Sequence, residues 1–376
     1  MRTAIVSDLH LGSPSGEDIA RDPAIRARLL DEIGDADRLV LLGDALELRS
    51  LPLAAVLEAA RPFFEDLGEA MAGRRVVLVP GNHDHRLAEP LLEEVALAGG
   101  PLGLEHRAPP GGEPATRLAA WLGDAELGIA YPGLWLRDDV YATHGHYMDC
   151  HMSLPRLECV AAAAAMRAGG ALPDPSAPDD YERVLRPIYG LAFGIAEAGL
   201  AGRATMPSER AWRAIAGRSA NGGRARRAAA RTAVSAGVSG SVWLLNRLFR
   251  AGFDPDLSPA AISRSGVDAA GELARRLRVE AAHTITGHTH RAGPTESDSG
   301  WTAPGGGRLH NTGSWVYADA FHHPGRPPGP YWPGTVTWVE DEGPPRRVRL
   351  LDEVPRTELL AAVERIYEGT LRATRR

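Results

Sequence analysis

Five short apolar runs, each stopping abruptly at polar side chains, constrain the fold of this chain more than any other feature. "TAIVSDLH" ends in Asp8 and His10, "RLVLLGD" in Asp44, and "RVVLVPGNHD" in Asn82, His83 and Asp84. "DVYATHGH" ends in His144 and His146, and "AHTITGHTH" in His288 and His290. Each run has the length and the Val, Ile, Leu or Thr content of a buried strand. Between several of them lie segments with apolar residues at i, i+3 and i+4, such as "DIARDPAIRARLLDEIG" and "LPLAAVLEAARPFFEDLGEAMAGR". Gly73 stands just beyond the apolar pattern of the second, where a helix would stop.

Strands alternating with helices imply a layered α/β fold. In such folds the strand directions agree and the loops at the carboxyl edge of the sheet converge. The polar ends of five separate strands are therefore expected to meet, which brings together Asp8, His10, Asp44, Asn82, His144, His288 and His290. Carboxylate, imidazole and amide oxygen together suit first-row divalent cations such as Mn, Fe, Zn or Co. Seven such groups exceed what one tetrahedral ion uses and match two divalent metal ions sharing a carboxylate. Gly43, Gly81, Gly145 and Gly287, beside the ligands, permit tight turns and close backbone approach. Taken singly, each block has an ordinary explanation: a Gly-Asp turn, a capped Asn turn, a surface loop. Their shared position at the ends of apolar runs is what points to one centre.

These blocks resemble the calcineurin-like metallophosphoesterase superfamily, whose pattern is D-x-H, G-D, G-N-H-D/E, H and G-H-x-H. All five occur here in order. The resemblance implies two packed β-sheets flanked by helices. It also implies one metal on Asp8, His10, Asp44 and His290 and a second on Asp44, Asn82, His144 and His288, with Asp44 bridging. His83 would be the family's proton donor and Asp84 its orienting partner. The chemistry expected of two such ions is attack of a metal-bridging hydroxide on phosphorus, with the cations absorbing developing charge. A proton donor near the leaving oxygen helps a poor leaving group depart. "SDLHLG", "THGH" and "GHTHR" followed by "NTGSW" further resemble the bacterial UDP-2,3-diacylglucosamine pyrophosphatase group. The chain departs from that group at His83, where those enzymes commonly carry Arg, so a lipid-linked pyrophosphate is one alternative among phosphoester substrates. A non-catalytic scaffold on the same fold is expected to have lost ligands, whereas all seven are present here.

Composition narrows the alternatives. The 376 residues, 44% hydrophobic and 24% charged, are those of a globular protein. A net charge of −6 argues against a nuclease or general nucleic-acid binder, and the two cysteines are too few for a disulfide scaffold. All 42 basic residues are arginine, for which GC-rich codon usage is sufficient cause. The N-terminal run is broken by Asp8 and resembles no signal peptide, and no apolar run approaches the ~20 residues that span a bilayer. A cytoplasmic protein is expected.

The chain reads as one domain over 1–376 with a helical cap inserted at 152–282, since far more sequence separates the fourth block from the fifth than a crossover needs. Helices are expected in "LPRLECVAAAAAMRAGG", "YERVLRPIYGLAFGIAEAGLAG", "SERAWRAIAG" and "RTAVSAGVSGSVWLLNRLFRAG". Val234, Val238, Val242, Leu245 and Phe249 form one apolar stripe after a basic stretch, so 224–250 is expected either to pack within the cap or to touch a membrane surface. The substrate is expected to be a small or lipid-linked phosphate. Arg86 and Arg291, directly after ligand blocks, are candidate phosphate contacts, and His85 and His146 candidate supports for the ligands. The closing segments "LHNTGSWVYADAF", "GTVTWVE" and "RRVRLL" read as edge strands of the second sheet, followed by a helix in "ELLAAVERIYEGTL".

Overall fold

The computed structural model describes residues 1–201, 240–322 and 328–373. The five expected strands form: β1 (Thr3–Val6), β2 (Arg38–Leu42), β3 (Arg75–Val79), β6 (Val140–Thr143) and β7 (His283–Thr286). Their helices follow local rules. The carboxylate of Asp22 accepts from Ala24 N and Ile25 N and Pro23 occupies the first turn, which starts α1 (Pro23–Glu32). The apolar face of α2 (Leu53–Ala70) buries Phe63, Phe64 and Leu67, and Gly73 lies beyond its end with φ +70°. α3 (Glu89–Ala98), β4 (Glu105–Ala108) and α4 (Gly112–Leu122) lead into β5 (Glu126–Arg137), a strand of 12 residues.

β5 decides the architecture. Its first part pairs in parallel with β3, which continues the parallel order β1-β2-β3, while its second part pairs antiparallel with β6. β6, β7 and β8 (Arg308–Asn311) then run parallel to one another. The two expected sheets are thus one curled sheet, continuous through β5 and flanked by helices. Its halves face each other across a core of Ile5, Val40, Leu42, Val77 and Val79 against Ala130, Leu134, Val140, Ala142 and Ile285. This corrects the reason given for convergence. β6 and β7 run opposite to β5, so a shared strand direction is not what gathers the ligand loops; the folding of the sheet over itself is.

The closing strands also differ from expectation. β8 edges the second half, but β9 (Thr335–Val339) pairs antiparallel with β1, and β10 (Arg346–Arg349) pairs with β9. β1 would otherwise be an open edge beside buried apolar residues, so the chain returns to cover it. The terminal helix, α9 (Arg356–Ala373), forms as expected.

Between β6 and β7 lie α5 (Leu157–Gly169), α6 (Pro178–Glu197), α7 (240–249) and α8 (Pro259–Arg276). They share a core that includes Met152, Cys159, Tyr181, Leu185, Val242 and Leu273. "SERAWRAIAG" and the basic stretch 224–231 lie outside the described residues. Of the apolar stripe, Val234 and Val238 lie outside the described residues, Val242 is buried and Leu245 and Phe249 pack on this core, while the neighbouring Trp243, Leu244 and Leu248 are exposed. Both cysteines are free. Among the described residues no helix is long and apolar enough to cross a membrane.

Candidate metal centre

The ligand loops leave their strands in a conformation that most residues avoid. Asp8, His10, Asp44, His288 and His290 have φ between +47° and +65°, and they are five of the seven described non-glycine residues with positive φ. Each such residue costs about 1–3 kcal/mol and persists only where its surroundings impose it. Here the loops clamp one another: Asp8 N donates to Gly43 O at 3.0 Å, His83 N to Asp44 Oδ1 at 2.8 Å and His288 N to Asp8 Oδ2 at 3.1 Å. The spacing leaves no room at two glycines. A Cβ on Gly43 would sit 2.2 Å from His144 Nδ1, and one on Gly81 would sit 2.3 Å from Asp44 Oδ1.

All seven expected ligands meet, in two adjoining clusters. Asp8, His10 and His290 form the first: His290 Nε2 is 3.1 Å from Asp8 Oδ1 and 3.2 Å from His10 Nε2. Asn82, His144 and His288 form the second: Asn82 Oδ1 lies 3.3 Å from His144 Nε2 and 3.2 Å from His288 Nδ1. Asp44 stands between them, with Oδ2 3.6 Å from His10 Nε2 and 3.2 Å from His144 Nε2.

Hydrogen bonds on the far side of each ring determine which nitrogen faces inward. His10 Nδ1 donates to Glu47 Oε2 at 3.0 Å, His144 Nδ1 to Leu42 O at 2.9 Å and His288 Nε2 to Asp149 Oδ1 at 2.9 Å. The proton on each ring is thereby held outside, and a lone pair points at the cluster, as a cation requires. The donor set of carboxylates, imidazoles and an amide oxygen fits first-row divalent ions. Asp8 Oδ1 is buried and makes no hydrogen bond although His290 Nε2 stands beside it, the relation expected of two ligands of one cation. Burial pushes the Asp8 carboxyl up, but His290 and His10 hold it well below the usual carboxylate range. Burial pulls His144 down, and Asp44 reverses this, raising it to about 9. Protons and cations therefore compete for the same lone pairs.

Glu47, absent from the sequence reading, is the main addition. It is buried, and its Oε2 also takes the Nδ1 proton of His83 at 2.6 Å. Burial raises its pKa, yet the His83 and His10 imidazoles hold it well below the usual range. This corrects the expected pairing of Asp84 with His83. The Asp84 carboxylate is fully buried and accepts the backbone N–H of Gly81 at 2.7 Å and of Ala45 at 2.7 Å, pinning the β2 and β3 loops together. Asp149, which orients His288, is the second addition. The sequence signal for both is an acidic residue between apolar neighbours just after a ligand block: Asp44-Ala-Leu-Glu47-Leu and His146-Tyr-Met-Asp149.

The arginines separate. Arg86 is exposed, 5.9 Å over the Phe193 ring. Arg291 is buried beside the ligand block and ion-paired to Asp298 at 2.7 Å. Arg49, not expected, lies 3.4 Å from His83 Nε2 through Nη1 and pairs with Glu158 of α5 at 3.2 Å. His85 and His146 join a buried cluster in which Glu182 of α6 receives His85 Nε2–H at 3.0 Å, Tyr131 O–H at 2.5 Å and Tyr147 O–H at 2.6 Å. They tie the insertion to the ligand loops and make no hydrogen bond to a ligand.

A curled, helix-flanked α/β sheet with convergent His, Asp and Asn ligands defines a metal-dependent hydrolase of phosphoesters. The family model of calcineurin-like phosphoesterases matches residues 1–161. The matched stretch contains Asp8, His10, Asp44, Asn82 and His144, while His288 and His290 lie beyond it and reach the centre through β7. A comparison with curated proteins finds no match.

Proposed function

We propose that the protein hydrolyses a phosphoester or pyrophosphate bond at a centre of two divalent ions, one on Asp8, His10, Asp44 and His290, the other on Asp44, Asn82, His144 and His288. The observation that carries this reading is the outward fixing of three imidazole protons by Glu47, the Leu42 carbonyl and Asp149, which aims three lone pairs at the two sides of Asp44. Bound there, such a pair of ions activates water as the nucleophile and neutralises charge growing on the phosphoryl oxygens. His83 supports the leaving group. In its protonated form Nδ1–H stays on Glu47, and Nε2, which accepts from Arg49 Nη1 at 3.4 Å when neutral, exchanges that contact for donation to the departing oxygen. Arg49, next to Nε2 and held by Glu158, places a fixed positive charge where the phosphoryl group would lie.

The test is a screen of metal-reconstituted protein against phosphomonoesters, phosphodiesters, nucleotide sugars and lipid phosphates, with metal content measured in parallel. His83→Asn is expected to keep the metal complement and lose about 10²–10⁴-fold on substrates with poor leaving groups. Absence of retained metal after loading with Mn, Fe, Zn or Co, or no metal-dependent turnover of any ester, refutes the reading.

A further inference from the structure

The segment that closes β8, Asn311-Thr312-Gly313-Ser314-Trp315, supplies no ligand, yet it ties together two of the loops that do. Asn311 Nδ2 donates to Gly287 O at 2.5 Å and to Thr289 Oγ1 at 3.1 Å, and Thr312 N donates to Thr286 O at 2.9 Å, which fixes the loop of His288 and His290. Trp315 N donates to Asp8 O at 3.1 Å, which fixes the loop of Asp8 and His10. A Cβ on Gly287 would sit 2.6 Å from both Asp8 Oδ2 and Ser7 Oγ, so the absent side chain is what lets these loops close on each other. Ser7, the residue before the first ligand, stands at the junction. It is buried, as is Thr312, and its Oγ lies 2.5 Å from Asp8 Oδ2, 2.5 Å from Thr312 Oγ1 and 3.2 Å from Gly313 O.

A serine has one proton to donate. The charged oxygen of Asp8 is nearer than the Gly313 carbonyl and takes it, which leaves Ser7 Oγ to accept the hydroxyl proton of Thr312. Thr312 O–H, Ser7 O–H and Asp8 Oδ2 thus form a short chain in which each bond polarises the next. With the His288 N–H at 3.1 Å, this chain occupies Oδ2. Asp8 Oδ1, 3.1 Å from His290 Nε2 and 3.8 Å from His10 Nε2, is left as the one oxygen of the carboxylate without a hydrogen bond. We infer that Ser7 and Thr312 are positioning residues that commit Asp8 to a single ion, the one it shares with His10, Asp44 and His290. Without them the carboxylate turns about its Cβ–Cγ bond and no longer presents one fixed oxygen. Among the described residues neither hydroxyl bonds Asn82, His144 or His288, so the hold on the other ion is not theirs to set. The inference deepens the hydrolase reading above and rests on it for the presence of two ions.

Ion binding is read without any ester, which separates the two readings. Mn²⁺ is titrated into metal-free protein by calorimetry, and electron paramagnetic resonance distinguishes a spin-coupled pair of ions from a single one. Ser7→Ala is expected to weaken one ion about 10–100-fold, the usual effect of removing a group that orients a ligand, and to leave the other unchanged. At Mn²⁺ concentrations between the resulting Kd values its spectrum is that of a single ion. Thr312→Val keeps the shape and leaves Ser7 to donate unaided, so it is expected to weaken the same ion by a smaller factor; it carries the test if Ser7→Ala does not fold. In a His290→Ala background, where that ion has already lost a ligand, Ser7→Ala is expected to leave the Kd of the remaining ion unchanged, and a further loss there overturns the assignment to one ion. Thr337→Val removes another buried hydroxyl, in β9, that makes no hydrogen bond, and is expected to alter neither ion; a loss equal to that in Ser7→Ala overturns the positioning role. Two ions held by Ser7→Ala and Thr312→Val as tightly as by the unmodified protein, or both weakened alike, overturn the inference and leave the hydrolase reading in place. If the selective loss is found while no ester is hydrolysed, the hydrolase reading fails and the positioning role stands.

Discussion

Replacing Glu47 by Gln removes one charge and leaves the shape of the side chain unchanged, so it isolates what that carboxylate contributes. Its Oε2 receives protons from His83 Nδ1 at 2.6 Å and His10 Nδ1 at 3.0 Å in a buried setting. Hydrogen bonds to a charged group contribute about 1.5–3 kcal/mol each, roughly twice a neutral one. Glutamine keeps an acceptor oxygen and loses the charge, so about half of each bond is lost, ~2 kcal/mol in all. If the His83 half of that loss, ~1 kcal/mol, falls on a protonated His83 in the transition state, kcat/KM drops about fivefold, at 1.36 kcal/mol per factor of ten. The assay compares an alkyl phosphate, whose leaving oxygen needs a proton, with a 4-nitrophenyl ester, whose leaving group departs without one. The alkyl substrate is expected to suffer the full loss and the aryl substrate much less. Elemental analysis follows whether the weakened hold on His10 also releases metal. A Glu47→Gln protein with a full metal complement and undiminished kcat/KM on the alkyl ester would refute the reasoning, because the His83–Glu47 contact would then be structural only.

Three further outcomes follow from the geometry. Asp149→Asn leaves His288 without its charged acceptor and is expected to weaken metal retention about 10–100-fold by equilibrium dialysis, with secondary structure by circular dichroism unchanged. Gly43→Ala puts a methyl group 2.2 Å from the His144 ring at φ +82°, so the loop must move; a stability loss of about 1–3 kcal/mol or more in denaturant titration is expected, together with reduced metal binding. The third concerns pH. Burial pulls His85 down, but Glu182 and Glu89 outweigh it and raise it from 6.5 to about 9. Because the folded value is the higher, the stabilisation is complete below about pH 6.5 and is lost as pH rises through about 9. The thermal midpoint is expected to fall across that window, by up to about 3 kcal/mol in stability. Glu182→Gln is expected to reduce the dependence, and an equally steep profile in that variant would exclude the pair as its origin.

The clustering of the seven candidate ligands was legible in the sequence because they sit at a fixed local place, the first polar residues after a short apolar strand. That is a pattern of neighbours along the chain, and it located Asp8, His10, Asp44, Asn82, His144, His288 and His290 without coordinates. The strands and the helices α1, α2, α5 and α6 were readable for the same reason, through periodicity and the glycine at 73. What tertiary structure alone decided involves contacts between residues distant in sequence. The partner of His83 is Glu47, 36 positions away, and not the adjacent Asp84, which turns to the backbone of two loops. His288 is oriented by Asp149, 139 positions away. β9 covers the free edge of β1 and not the second half of the sheet, because edge pairing depends on which strand lacks a neighbour in space. Side-chain identity at strand ends determines which chemistry the chain can perform; the curl of the sheet and the seating of the insertion determine which groups tune it.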